Sequence, residues 1–579
     1  MANREQLAIL KQGVKVWNKW MKDNPDETIN LRKAKLRGAK LSKVNLAGAD
    51  LRATNFSGAN LSGANLNGAD LRLGNLNSAD LSAANLINAD LSEAQLKKSI
   101  LIEAFLEQAN FSGADLSMAS LIQAHLMSTN LSKANLADAN LSFADLSRAN
   151  LNEADLGEAI LNGANLSMAD LSRANLRKVD LNEAKLSEAN FRGANLREAI
   201  LTKADLREAD LREADLLNAN LRKADLRGAI LINADLTEAI LVEANLEEAN
   251  LSDAHLFQTD FSKANLIKTN LSRATLKSAV LHEVDLTKAI LTKADLREAD
   301  LTGAKLIEAS LVQANLKGAS LNAANLMATN LSKADLTNVN LVGAFLVGTN
   351  IDQAKVSGSY VYAINVWDLQ GEFEEQKDLI ITPTPNSIVT VDNIKVAQFI
   401  YLILKNEEIR DVINTLTSKS VLILGRFTPE RKAILDALKN KLREYNLLPI
   451  VFDFDRPTDK DFTETIKTLA GLSYFVIADI TNPKSSPLEL QATVPDYQIP
   501  FVPIIQEGEQ PFAMMVDLQK KYNWVLDTLS YKSIDVLIKA LKPAIIDPAI
   551  QKHNELRLIK AREPKIRSAN DFIDDKGLE

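Results

Sequence analysis

The chain of 579 residues contains no cysteine. Disulfides, thiol nucleophiles and cysteine-built metal sites are therefore excluded. Histidine is nearly as scarce. His125, His255, His282 and His553 lie far apart, and the first three occupy variable positions of the repeat described below. No metal centre is expected from them. No stretch approaches eighteen uncharged apolar residues, so no membrane-spanning helix is expected. The opening MANREQLAILKQGVKVWNKWMKDNPD is charged throughout and has no unbroken apolar segment, unlike a secretory signal. Three sequence signatures of common chemistry are also missing: the phosphate loop GxxxxGK, the zinc motif HExxH and the nucleophile elbow GxSxG. These absences point to a cytoplasmic protein of bacterial type. Its hydrophobic content of 46% is ample for packed cores, and its length implies more than one domain.

What the chain does contain is a period of five. From Leu31 to Val356 every fifth residue is Leu, Phe, Ile or Val, which makes 66 positions without a slip. Stretches such as ADLREADLREADL (204–216) are built from good helix formers. A five-residue step nevertheless advances about 140° on an α-helix and scatters the leucines round every face. On a flat strand an odd step sends successive leucines to opposite sides. A small residue, usually Ala, stands two places before each large one; Asp or Asn most often comes just before it, and two variable polar residues follow. A chain that turns about 90° per five residues satisfies all of this. Four pentads then close a square coil with large and small apolar residues inside, and stacked coils pair at strand spacing. Sixty-six pentads give about 16.5 coils, a stack of about 80 Å.

The A(D/N)Lxx pattern, as in ANLSGANLNGADL, resembles the pentapeptide-repeat family. The resemblance implies a right-handed quadrilateral β-helix over residues 31–365. Residues 1–30 are expected to cap it: Leu7, Leu10, Val14, Trp17 and Met21 follow helical spacing over 5–22. Five basic against four acidic residues in 1–30 argue against docking on anionic lipid. Some members of the family mimic DNA to bind topoisomerases. Here residues 31–356 hold 35 Lys/Arg and 39 Asp/Glu. Duplex DNA of similar length carries about 45 negative charges, so mimicry and direct nucleic-acid binding are both disfavoured. Protein partners, a homo-oligomer among them, fit the outer faces better.

Past the repeats, Pro383 and Pro385 mark a connector within 366–419, and residues 392–416 read as a helix with Asp392 or Asn393 as N-cap. Strands and helices then alternate. Strands are expected at 420–425, 447–455, 474–480 and 501–505, with a candidate fifth at 524–526; helices are expected at 429–446, 458–472, 485–497 and 531–541. Such alternation implies a parallel sheet covered on both faces, with ligands at the carboxyl ends of its strands. Asp453 and Asp455 stand one residue apart at a strand end. That spacing suits a metal or an acid–base pair, and more often simply closes a buried strand.

The run VLILGRF, VFDFD, YFVIADIT and SSPLELQ resembles bacterial TIR-like domains and related nucleotide-binding domains. The resemblance implies a flavodoxin-like α/β unit over 420–546, followed by a tail, 547–579. With the N-terminal LAILKQGVKVWNKW and the repeats, the whole is similar to cyanobacterial-style proteins of this layout. In TIR-like domains that cleave NAD, a glutamate opening the helix after the third strand stabilises the ribosyl cation, and the matching residue is Glu489. Gly425, Arg426 and Phe427 would face the same cleft, where Gly permits close approach, Arg can pair with a phosphate and Phe can stack on a base. Asp479 could bond a ribose hydroxyl. The family's aromatic–Cys pair is replaced by Pro487-Leu488, which puts the wall of that site in doubt. No cofactor is required, and NAD or another nucleotide is the implied ligand. Two functions follow: a signalling or defence protein whose TIR-like unit binds or cleaves NAD, and a non-catalytic protein-interaction scaffold.

Overall fold

The structure, a computed structural model, describes residues 1–382, 389–425, 428–453, 469–481, 494 and 498–561. The chain divides into two compact units, Met1–Tyr401 and Leu402–Glu579.

The first unit is a four-sided β-helix. Parallel bridges link residues twenty apart, Asn30 to Asp50, Asp50 to Asp70 and onward, so four pentads make one coil as the period predicts. At the large position Leu36, Leu51 and Leu206 are buried, and so are the small residues Ala34, Ala49 and Ala204. The pentad's five amides can each be traced. Leu51 N donates to Asp70 O (2.7 Å), Ala53 N to Arg72 O (2.8 Å) and Asn55 N to Ala34 O (2.9 Å), all between coils; Thr54 N closes the turn on Leu51 O (3.0 Å). The fifth, Arg52 N, donates to the Asp50 side chain (3.2 Å). That is why Asp or Asn precedes most of the leucines: its side chain accepts the one amide the backbone leaves over. The turn itself requires left-handed backbone two residues after the leucine, as at Lys33 (φ 61°), Ala53 (φ 53°) and Gly38 (φ 63°). Where Thr replaces the small Ala, its hydroxyl is satisfied inside: Thr54 Oγ1 donates to Leu31 O at 2.9 Å.

The open first coil is covered by two helices, α1 (Arg4–Lys11) and α2 (Val14–Asp23). The spacing predicts one helix over 5–22; Gly13, at φ 119°, breaks it. The cap satisfies backbone groups that the exposed edge would leave bare. Gln6 bonds Thr28 O (3.0 Å) and Asn30 N (2.8 Å). The fully buried Trp17 donates its indole N–H to Asn45 O at 2.7 Å. At the other end the coil broadens into β1 (Phe345–Val347) and β2 (Asn365–Trp367), a parallel pair, followed by the antiparallel pair β3 (Leu379–Ile380) and β4 (Thr390–Val391). Helix α3 (Ile394–Lys405), capped by Asn393, buries Ile394 and Ala397 in the same core.

In the second unit, α4 (Glu407–Lys419) begins anew at Asn406, whose side chain accepts from Ile409 N (3.0 Å). This cap splits the single helix expected over 392–416. Five parallel strands form one sheet: β5 (Ser420–Gly425), β6 (Leu448–Asp453), β7 (Phe475–Asp479), β8 (Phe501–Gln506) and β9 (Leu529–Tyr531). Their order is β6-β5-β7-β8-β9. Two apolar clusters cover it. One includes Val421, Ile423, Leu435 and Leu537; the other includes Leu422, Leu424, Val476 and Met515. They draw on alternate residues of β5, as a strand buried on both faces requires. The described helices are α5 (Pro429–Glu444), α6 (Ala513–Lys521), α7 (Ile534–Ala540) and α8 (Asp547–Ala561); a wider π winding at Leu541–Ile546 joins the last two. That winding contains Pro543, which has no amide to give a regular turn. The fifth strand lies later than expected. Val525 makes only a single bridge to Phe501, and the ladder proper forms at Leu529–Tyr531.

Candidate functional site

The carboxyl edge of the sheet collects the last residue of every strand: Gly425, Asp453, Asp479, Gln506 and Tyr531. Gly425 and Asp479, both expected at the site, are brought together here. A Cβ on Gly425 would stand 3.1 Å from Leu435 Cδ2 and 3.5 Å from Asp479 Cβ, so only glycine fits without a shift. Glu489, Arg426 and Phe427 lie outside the described residues, as do Asp455 and Pro487-Leu488.

Asp479 is nearly inaccessible, with its side chain 2% exposed, and it is committed to a residue the sequence reading did not single out. Helix α5 starts at Pro429 under the Thr428 cap, and Arg431 in its first turn reaches across the strand ends. Arg431 Nε donates to Asp479 Oδ2 at 2.9 Å, and its Nη2 contacts the same oxygen. The guanidinium also bonds Gln506 Oε1 (2.8 Å), Thr481 Oγ1 (2.8 Å) and Tyr531 Oη (2.5 Å). Thr481 N donates to Asp479 Oδ1 at 3.1 Å. Burial works against the Arg431 charge, but the Asp479 carboxylate more than offsets it and holds the guanidinium above its ordinary value. Burial raises the Tyr531 phenol and the Asp479 charge adds to this, although Arg431 draws it back. One signal for Arg431 was present in the sequence. A cation in the first turn of a helix opposes the helix dipole, and here a buried carboxylate compensates it.

Beside this clasp is an open groove of about 670 Å³ lined by Arg431, Gln506, Tyr531, Lys532, Ser533 and Asp535, among others. It presents charges of both signs next to hydroxyl groups. On the β-helix, a second depression of about 630 Å³ is walled by charges already paired, Arg177 with Glu198 (2.8 Å) and Arg197 with Asp215 (2.5 Å), and by Glu213, which Arg192 holds from outside the lining (3.1 Å). Among the described residues no cluster of acidic or histidine side chains is placed to hold a metal. No helix there is long and apolar enough to cross a membrane.

Several charges on the β-helix pair with a residue one coil away, as in Lys203–Glu183 (2.9 Å) and Lys268–Glu248 (2.7 Å). Arg52, Arg72, Arg207 and Arg297 turn back onto the Asp two places before them and hold those carboxyls below their ordinary range.

The profile of the family described as pentapeptide repeats matches residues 29–292 and 294–362 in overlapping copies. No curated protein matches the chain. Among solved structures, HetL, a pentapeptide repeat protein involved in heterocyst differentiation regulation from the cyanobacterium Nostoc, is 33% identical; the alignment covers 42% of this chain and 92% of that one, with a TM-score of 0.17. Rfr23, a pentapeptide repeat protein from the cyanobacterium Cyanothece, is 27% identical over 21% of this chain and 91% of its own, with a TM-score of 0.16. A pentapeptide repeat protein of the Arabidopsis thaliana thylakoid lumen is 35% identical over 16% of this chain and 63% of its own, with a TM-score of 0.15. With a left-handed turn after every leucine, twenty residues to the coil and a family profile spanning more than half its length, this chain belongs to the pentapeptide-repeat family and forms that family's right-handed β-helix.

Proposed function

We propose that the chain is a protein-interaction scaffold in which the β-helix offers binding faces and the α/β unit is a TIR-like, nucleotide-sensing module. One observation carries the second half. Numbered within its own unit, the all-parallel sheet runs 2-1-3-4-5, the order of flavodoxin-like folds, which take ligands where that order reverses. Gly425 and Asp479 end the two strands that flank the reversal. The missing Cβ at Gly425 lets Leu435 and Asp479 close on the end of that strand, and a dinucleotide such as NAD would lie over these strand ends. In this arrangement Asp479 contributes by fixing Arg431, and the groove beside Tyr531 admits the remainder of the ligand. The near-equal numbers of basic and acidic residues on the β-helix, several of them paired across coils, support a protein partner in the cytoplasm over nucleic acid.

Cleavage of NAD is the catalytic form of this reading, with Glu489 as the carboxylate facing the ribosyl cation. Full-length protein titrated with NAD separates the alternatives. Saturable binding without nicotinamide release is the expected result for the sensing scaffold. Release that Glu489→Gln abolishes would establish the enzyme and retire the scaffold reading. No binding at millimolar NAD would remove the nucleotide from the proposal.

A further inference from the structure

One face of the β-helix breaks the repeat's own rule. On the column of residues twenty apart that includes Ile160, the position before the leucine reads Ile160, Asp180, Ile200, Asn220, Ile240, Asp260, Val280, Asp300. Aliphatic and polar residues alternate strictly over these eight coils. Ile100 and Tyr360 stand on the same column, further along each way. Ile160, Ile200 and Ile240 are 42%, 42% and 41% exposed. Each isoleucine carries a second cost. Asp or Asn at this position accepts the amide two residues on, as Asp180 does from Asn182 N (3.0 Å) and Asp260 from Ser262 N (2.9 Å). After Ile160, Ile200 and Ile240, the amides of Asn162, Thr202 and Val242 have no acceptor among the described residues. Three positions thus give up a turn-closing bond in order to present an aliphatic side chain to water.

The corners bounding this face supply the other half. Along one edge Lys178 pairs with Glu198 one coil on (3.9 Å); along the other Glu183 pairs with Lys203 (2.9 Å). At these two levels the edges are therefore opposite in sign, Lys178 level with Glu183 and Glu198 level with Lys203. We infer that this face binds the same face of a second copy, related by a two-fold axis parallel to the β-helix. That operation sets isoleucine against isoleucine and brings Lys178 onto the partner's Glu183 and Glu198 onto the partner's Lys203. Glu238 meets the partner's Glu243, whose charge Arg222 and Lys223 already balance (both 3.3 Å). The antiparallel alternative that also sets isoleucine against isoleucine, centred on Asn220, pairs Glu183 with Lys263 and Lys203 with Glu243 but opposes Glu198 to Glu238 and Lys223 to its own copy, so it carries more like-charge contact than the parallel arrangement. Eight coils across one face amount to about 650 Å² per copy, within the range of a specific dimer. The Asp and Asn side chains between the isoleucines are already bonded to their own turns, so covering them leaves few polar groups bare.

The pairing rests on the scaffold reading above, and the two fail separately. The full-length chain should sediment as a dimer at micromolar concentration. The triple variant Ile160→Asn, Ile200→Asn, Ile240→Asn should have half that mass and a melting temperature no lower, because asparagine restores the missing turn bonds. The absence of native cysteine allows a direct check of register. Ile200→Cys should form a disulfide-linked dimer on mild oxidation, and Ile290→Cys, on another face, should not. A monomeric wild-type chain, or a triple variant that keeps the wild-type mass, overturns the pairing. Release of nicotinamide in the NAD experiment overturns the scaffold reading and leaves the mass measurement untouched.

Discussion

A single side chain completes the hydrogen bonding of most pentads. The backbone serves four of its five amides and the Asp or Asn before the leucine serves the last, so this residue acts as a structural acceptor. Asn130 accepts from Ser132 N (3.2 Å) and from Asn150 Nδ2 (3.3 Å), and donates to Asn110 Oδ1 (2.9 Å). Asn130→Ala should cost about 1 kcal/mol for the amide left without an acceptor. Asn130→Asp, which keeps that acceptor, should cost less. Chemical denaturation of the two variants side by side measures the difference. The left-handed turn position makes a complementary case. Nothing lies within 4 Å of a Cβ built on Gly68, so packing alone would allow any small residue there. Its φ of 64° nevertheless predicts that Gly68→Ala destabilises by about 1 kcal/mol. Leu73, 60% exposed at φ 58°, should gain stability from replacement by Asn, which adopts this backbone more readily. A loss at Leu73→Asn would show that the exposed leucine makes a contact that the isolated chain does not reveal.

Among the larger elements, the coil is the cooperative unit, because each one contacts only its neighbours. Leu206 is fully buried, and Leu206 N donates to Asp225 O on the next coil (2.7 Å). Leu206→Ala should cost about 3 kcal/mol as a cavity. Leu206→Lys should cost more, because an unpaired charge has no partner in the shaft. Hydrogen exchange should then quicken around residues 186–226 and stay slow far from them; uniform exchange along the chain would refute inward burial. The inward leucines and alanines were legible in the sequence because burial in a coil is periodic, and a period survives without any knowledge of neighbours. Breaks that depend on one residue were not. Gly13 splits the N-terminal helix and Asn406 splits the next predicted one, yet both positions sit inside otherwise sound helical spacing. The fifth strand, expected at 524–526, forms instead at Leu529–Tyr531, a segment that only its partner, Ile504–Gln506, marks as a strand. At the candidate site, Gly425 and Asp479 could be read as strand ends. Arg431 showed only as a cation in a helix's first turn, and its role was hidden because it depends on a carboxylate 48 residues away.

At the level of the whole molecule, two separate cores imply two kinds of unfolding. The β-helix is a sum of coils held between caps, so its transition should broaden and depend on how well its ends are closed. The α/β unit closes both faces of one short sheet and should melt sharply. Tryptophans report on each part. Trp17 is sealed in the N-terminal cap, and Trp524 lies in the α/β unit, where its indole donates to Val494 O at 3.0 Å. The Arg431–Asp479 pair is the clearest lever on the second transition, because both side chains are largely withdrawn from water. Asp479→Asn leaves the guanidinium buried without its counter-charge and should lower the stability of that unit by about 3 kcal/mol. The Trp524 signal should shift to lower denaturant, while the far-ultraviolet signal of the coils keeps its midpoint. Replacing both partners, with Arg431→Met and Asp479→Leu, should recover much of the loss, because no charge then remains buried. If the double variant instead fell further than Asp479→Asn alone, the clasp would be organising the carboxyl edge through its hydrogen bonds to Gln506, Thr481 and Tyr531. NAD affinity should in that case drop in the double variant before the fold does, which ties the stability of the strand ends to the ligand they are proposed to hold.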